Sequence, residues 1–481
     1  MGKPFLTLED LKACFSLCCC IYGIGTLGMP GNYARAGFFW ASAALVSMAS
    51  INIYATVCIS KIMLVAPKSV RTYGDLGEYV LGRWGRWLVT IPHMITCILV
   101  PIAFLVFGGM LLTTLFPGSF ESETWIIIMG ITLLPICLVP TLKEGAMMAA
   151  AGFLCTIVTD IISLSMLVTN MNRNNAGLHT PPSNLSFNQV ATVFGNLALA
   201  YGAGILIPAL QREHSDPTRM PRIITVSLGL ISILFLTVSI TGVSVVGCQI
   251  PGNLLFAIAG NKLGFEFNRG GVVLAYLAMQ MHITIAFSVV LLPALYTLEG
   301  LFLGLHKLTL QLDECDIEGA SSFVATLSPA KKEDETHVDR DSVTYKQPGV
   351  YAKVAVLRII TVALCVVTAV LWRNRLLDLL DFAGSSTIAL CCMILPMSLY
   401  LKHFGTKLHI AERIFASLAI LVCLVLGAYV TYESAGPLFN PPPAPPAGPA
   451  PWDAPKFPYC SGSFVNMVYT NTSYHSAWAK P

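Results

Sequence analysis

Apolar runs, each near the roughly 20 residues that cross a bilayer as a helix, recur along the chain between short polar connections. They lie near residues 10–35, 38–66, 87–115, 124–142, 145–170, 188–210, 221–247, 271–304, 353–372, 379–401 and 410–432. The pattern predicts an all-α membrane protein with about eleven transmembrane helices. The 271–304 run is longer than one crossing needs, so it tilts, kinks or continues past the bilayer. Residues 72–87 mix aromatic, apolar and basic positions, with Trp84 and Trp87 placed to lie at headgroup level. Two stretches read as lying outside the membrane: a polar, disordered loop at 313–348, and a Pro/Ala-rich spacer at 437–451. The expected layout is a short N-terminus (1–9), a polytopic body (10–432) and a Pro-rich tail (433–481). The loop offers Ser321, Ser328 and Ser342 for phosphorylation, as any disordered loop does.

The first run is interrupted by Gly23-Ile-Gly-Thr-Leu-Gly-Met-Pro-Gly31. Glycine and proline both disfavour an intact helix. At membrane depth, freed backbone groups must be satisfied by protein, water or a solute, so the break reads as a solute site. The sixth run repeats the theme in Tyr201-Gly-Ala-Gly-Ile-Leu-Ile-Pro208. Breaks five spans apart are what an inverted five-plus-five repeat with discontinuous helices 1 and 6 predicts.

Composition narrows the class further. The chain of 481 residues is 55% hydrophobic and 11% charged, well under the roughly 25% charge of soluble domains. Its net charge of +3 and lack of a basic run give no reason to expect a nucleic-acid partner. With the N-terminus cytoplasmic, most of the 29 Lys and Arg fall on the cytoplasmic side, which predicts N-in, C-out. Both Asn-x-Ser/Thr sequons, at Asn184 and Asn471, then lie outside as candidate glycosylation sites. The first ten residues include acidic positions, Glu9 and Asp10, and lack a small-residue cleavage site, so the first span is expected to act as signal anchor. Most of the 15 cysteines fall inside spans as packing residues, with no metal spacing. Cys248 and Cys460 lie on the outer side, either as a disulfide or as two free thiols.

Four motifs carry a family resemblance. They are Gly23, Gly25, Leu27 and Pro30 followed by Ala34 and Gly37; Pro208-Ala-Leu-Gln-Arg-Glu213 followed by Asp216-Pro217 and Met220-Pro221; His282, Pro293 and Glu299 in the eighth span; and Ile394-Leu-Pro-Met-Ser-Leu-Tyr400. Together, over about residues 10–430, they resemble the amino acid/auxin permease family of secondary transporters, whose fold is a broken-helix inverted repeat. The resemblance implies an amino acid as small-molecule substrate, the lipid bilayer as surroundings and no cofactor, with protein partners left open.

An amino acid presents a carboxylate, an ammonium and a side chain. Backbone N–H groups at Gly25, Thr26 and Leu27, aided by the Thr26 hydroxyl, suit the carboxylate. Freed carbonyls around Gly23 and at Tyr201, Gly202 and Gly204 suit the ammonium. The competing reading is a glycine patch for helix packing. Where sodium-coupled members carry asparagine, this chain has Cys19, a poor sodium ligand, so a proton is the expected coupling ion.

The ion-coupling candidates are His282, Thr284, Ser288 and Asp160. Gln280, Thr284 and Ser288 share one helix face; His282 lies roughly 200° around from Thr284. His282 reads either as a proton carrier or as a packing residue. Asp160, with Thr156 and Ser163 on its face, reads as a proton relay or as a structural tie, with His93 one partner to test. His93, Tyr201 and Tyr276 are candidates for the cavity wall. No cluster has metal or catalytic spacing, so an enzyme is not expected. The leading expectation is proton-coupled amino acid transport by alternating access. An amino acid sensor on the same fold, sodium coupling and uniport are the alternatives, and the membrane is plasma or vacuolar/lysosomal.

Overall fold

The structure, a computed structural model, describes residues 4–138, 145–174, 180–259, 268–305, 349–440 and 457–466. The 313–348 loop, Asn471 and most of the proline-rich stretch lie outside these residues. The described residues are almost wholly helical, with one isolated β-bridge, Ser183 to Cys460. Nine helices among them are long and apolar enough to cross a membrane. One of these, Met29–Val65, contains a turn at Gly37. Its φ of 69° is a left-handed value that favours glycine, and it ends the first crossing and starts the second. With that division, the shorter Ser122–Leu138 and the separate first half-helix Leu8–Ile21, the crossings expected from the hydrophobic pattern are all present. This is a multi-pass integral membrane protein.

Local signals set the helix ends. Leu8–Ile21 starts with a capping box, in which Thr7 and Asp10 satisfy each other's backbone N–H. Tyr73–Leu81 starts with the same device at Thr72 and Asp75. This short helix occupies much of the 72–87 segment expected at the interface, and Trp84, just beyond it, is 87% exposed. Proline opens the outer half of the first span at Pro30, where its missing N–H costs nothing. The last span runs to Phe439, past the expected end at 432.

The first span packs against the fifth and seventh, the third against the eighth, and the second along the seventh. The ninth and eleventh spans turn Leu364, Val367, Leu371, Leu418, Leu421 and Val425 outward. A continuous apolar exterior of this kind is the face a bilayer solvates.

One ion pair is sealed inside. Arg358 Nε donates to Glu299 Oε1 at 2.7 Å, and its Nη1 donates to the Cys137 carbonyl at 2.8 Å. Both side chains are 0% exposed. Removing one partner of a buried pair strands a charge and typically costs about 3–5 kcal/mol. Glu299→Leu is therefore expected to lower the apparent unfolding temperature in detergent sharply and to reduce the monodisperse yield. An unchanged melting curve would contradict a structural role for this pair.

Candidate functional site

Both helix breaks form as the glycines dictate. Helix Leu8–Ile21 stops at Tyr22, a one-turn helix Ile24–Leu27 follows, and Met29 starts the next segment. Across the gap, Thr26 N–H donates to the Gly23 carbonyl at 3.1 Å and Gly28 N–H to the Gly25 carbonyl at 3.2 Å. In the sixth span, Phe187–Ala200 ends, Ala203 N–H bonds back only two residues to Tyr201 at 2.7 Å, and Ile207–Glu213 resumes the helix. The breaks meet. A Cβ on Gly25 would lie 2.6 Å from the Ala200 Cβ and 2.7 Å from its Cα, so only glycine permits this approach.

One cavity lies at this junction. The first span contributes Cys20, Ile21, Gly23, Ile24 and Gly25; the third, Thr96, Val100, Ala103 and Phe104; the sixth, Leu199, Ala200, Gly202, Ile205 and Leu206. The eighth adds His282 and Val290, and the tenth Leu380 and Ile388. No charged side chain is among them.

His282 has a defined orientation. Its Nδ1 lies 3.0 Å from the Gly152 carbonyl of the fifth span. A carbonyl only accepts, so Nδ1 carries a hydrogen, and in the neutral ring Nε2 is an acceptor. That nitrogen points at Gly23, where an added Cβ would overlap it. Cys19 is buried against Gly152 in the same corner.

The other expected residues divide. Gly23, Gly25 and Gly202 line the cavity, whereas Thr26, Leu27, Tyr201 and Gly204 do not. Thr26 is fully buried and its hydroxyl has no hydrogen-bond partner. Gly204 packs on Cys392. The Tyr201 ring turns away from the cavity, with its hydroxyl 2.7 Å from Ser232 Oγ and its edge on Phe235. Tyr276 donates to the Leu255 carbonyl at 3.1 Å, and His93 stands edge-on to Tyr73. These three do not line the cavity, because each packs against a neighbouring helix; Thr96, one turn beyond His93, does.

Thr284 and Ser288 donate to carbonyls of their own helix, at Gln280 and Ile285, the usual way a hydroxyl satisfies itself in an apolar helix. Asp160 is 3% exposed. Its polar neighbour is Tyr22, at the first break, rather than His93. The Tyr22 ring stacks on Phe235 at 5.8 Å, which links the acid to the aromatic cluster behind both breaks. No metal-binding cluster occurs among the described residues.

Sequence reasoning missed two polar networks at the ends of the first span. At the N-terminal end, Asp10 is fully buried and receives Arg219 at 2.6 Å and His214 Nε2 at 3.0 Å. At the other end, Arg35 donates to Asp381 of the tenth span at 2.8 Å. The tenth span also contains wide π-type turns at Gly384–Ile388 and Leu390–Ile394. Tyr73 donates to the Cys391 carbonyl there at 2.7 Å. Only the Gly-Ser-Ser run at 384–386 hinted at this irregularity. Cys248 and Cys460 form a disulfide, which resolves the alternative of two free thiols.

Comparisons with known proteins agree with this geometry. The family described as transmembrane amino acid transporter protein matches residues 9–435. The chain is 24% identical over 247 residues to the amino acid transporter AVT1I of Arabidopsis thaliana, covering 50% of this chain and 60% of that protein. It is 23% identical over 224 residues to the N amino acid transport system protein of Neurospora crassa, covering 45% and 47%. These matches span less than two-thirds of either relative.

In fold it is similar to MhsT, solved in complex with L-phenylalanine, with a TM-score of 0.53 at 11% identity over 88% of this chain and 97% of that one. A manganese transporter of Eremococcus coleocola gives 0.54 at 13% identity over 92% and 90%. Such identities speak to fold alone, here that of broken-helix repeat transporters. The family is one of transporters and not of enzymes, and with nearly its whole length matched, the chain belongs to the transmembrane amino acid transporter protein family.

Proposed function

We propose that this protein carries neutral amino acids across a membrane by alternating access, driven by protons. The observation that carries this reading is the shared cavity: both helix breaks and His282 open onto it, and no charged side chain lines it. Backbone N–H groups near Gly25 receive the carboxylate, while His282 Nε2 and carbonyls at the breaks accept from the ammonium. The apolar remainder, including Val100, Phe104, Val290 and Ile388, suits an uncharged side chain, because burying an unpaired charge is costly.

Asp160 is the group best suited to carry the proton. A buried carboxylate is expensive to leave charged in hydrocarbon, and this one is 3% exposed and lies beside Tyr22 at the moving break. The N-terminal face is read as cytoplasmic and the disulfide face as exoplasmic or lumenal, where disulfides persist. Asn184, exposed on that face, is then a glycan acceptor. The membrane is plasma or vacuolar/lysosomal.

Ligand requirements test the site. Free leucine is expected to raise the melting temperature of the purified protein, whereas leucine methyl ester, N-acetyl-leucine, lysine and glutamate leave it unchanged. Equal stabilisation by the capped analogues would overturn a site built around carboxylate and ammonium.

A further inference from the structure

The segment after the proline-rich stretch, residues 457–466, is built into the face of the protein that carries the disulfide. Cys460 is bonded to Cys248, which follows the seventh span, and forms a bridge with Ser183 ahead of the sixth. Asn184 N–H donates to the Tyr459 carbonyl at 2.8 Å, and Gln249 Nε2 to the Phe464 carbonyl at 3.0 Å. Phe457 and Cys460 are each 2% exposed. A loose spacer end has none of these attachments.

Between the two anchored cysteine loops, Tyr459 reaches the Arg35–Asp381 pair. Arg35 Nε donates to the Tyr459 hydroxyl at 2.9 Å, while Nη1 of the same guanidinium donates to Asp381. The arginine also lies 5.5 Å from the Tyr459 ring centroid. Asp381 follows Leu380, which lines the cavity, and its backbone packs on Gly195 of the sixth span. Arg35 closes the outer half of the first span, eight residues beyond the Ile24–Leu27 turn. Opening the cavity towards this face requires the first and tenth spans to part, which separates Arg35 from Asp381. A third group on a covalent tether holds the arginine in place.

We propose that Tyr459 is a positioning residue for transport: the disulfide-tethered tail holds Arg35 against Asp381 and so favours the state closed on this face. The charge-assisted hydrogen bond fixes one edge of the guanidinium, leaving the other edge aimed at the carboxylate. The Cys248–Cys460 bond keeps the tyrosine at a high effective concentration beside the arginine. Breaking the bond on this face releases the hold without touching the cavity. The inference rests on the alternating-access reading.

Cys20, which lines the cavity, supplies a readout independent of transport. The full-length protein in proteoliposomes is treated from the disulfide face with a membrane-impermeant maleimide, and Cys20 labelling is followed by peptide mass spectrometry. Tyr459→Phe keeps the ring and removes only the hydroxyl. It is expected to speed labelling about tenfold, the population shift from losing one charge-assisted hydrogen bond. The impermeant phosphine TCEP, applied and removed before labelling, is expected to do the same to the folded wild type and to add little in Tyr459→Phe.

Equal labelling rates in wild type, reduced wild type and Tyr459→Phe would overturn the latch. Because reduction acts on protein already folded, a folding defect in the variant leaves that arm decisive. Absence of transport by the wild type, with labelling still responsive to Tyr459, counts against the proposed function and not against the latch.

Discussion

Gly23→Ala is expected to lower the apparent affinity for substrate by about 5- to 150-fold, the range that matches a packing strain of about 1–3 kcal/mol. The reason is local. A Cβ at Gly23 occupies the place of His282 Nε2, and His282 cannot retreat freely because its Nδ1 is held by the Gly152 carbonyl. The ring must then leave that carbonyl or the first break must shift, and either disturbs the proposed ammonium site. His282→Ala alone removes the acceptor and is expected to weaken binding by a similar factor. The informative variant is the double. With the ring gone, alanine at 23 meets no obstacle, so the two effects are expected to be strongly non-additive. Binding of labelled leucine to the four purified proteins checks this. Additive losses would show that Gly23 and His282 act separately.

Asp160→Asn is expected to abolish accumulation driven by a pH gradient while sparing exchange of labelled for unlabelled substrate. Asparagine matches the shape of the acid and keeps the Tyr22 contact within reach, but it cannot take up and release a proton. For one proton per neutral substrate, each pH unit supports about tenfold accumulation, the equivalent of about 1.4 kcal/mol; the variant is expected to equilibrate and stop. Exchange needs only the loaded carrier to reorient, so it survives. Full gradient-driven accumulation by Asp160→Asn would remove this residue from the coupling mechanism. Loss of exchange as well would assign it a structural part beside Tyr22.

The helix breaks were legible because backbone chemistry is local. Gly23, Gly25 and Gly202 announce freed peptide groups wherever they stand in an apolar run, and all three line the cavity. Side-chain direction was harder. A helix that is apolar on every side carries no stripe to show which face meets its neighbours, so Tyr201, Tyr276 and His93 read as wall residues although each packs elsewhere. His282 stood out for its chemistry, but its tautomer depends on the Gly152 carbonyl, 130 residues away.

Separation hid the rest. Arg35 and Asp381 are 346 residues apart, and nothing near either one marks the other. Cys248 and Cys460 are 212 apart, so side of the membrane left both the paired and the free state open. Asp10 stood in the sequence only as one of two acidic residues ahead of the first span; its place in a capping box is local, but its burial under Arg219 and His214 depends on how the sixth-to-seventh connection folds back. The tail read as a spacer because proline-rich composition describes how it travels and not where it ends.

Counterflow of labelled leucine into proteoliposomes preloaded with unlabelled leucine tests the central claim most directly. If an amino acid binds between the two breaks and is carried across, label rises transiently above its equilibrium level, and Gly23→Ala shifts that overshoot to higher leucine concentrations. Label that binds to the protein without ever exceeding equilibrium inside the vesicles would contradict transport and identify the protein as a sensor on the same fold.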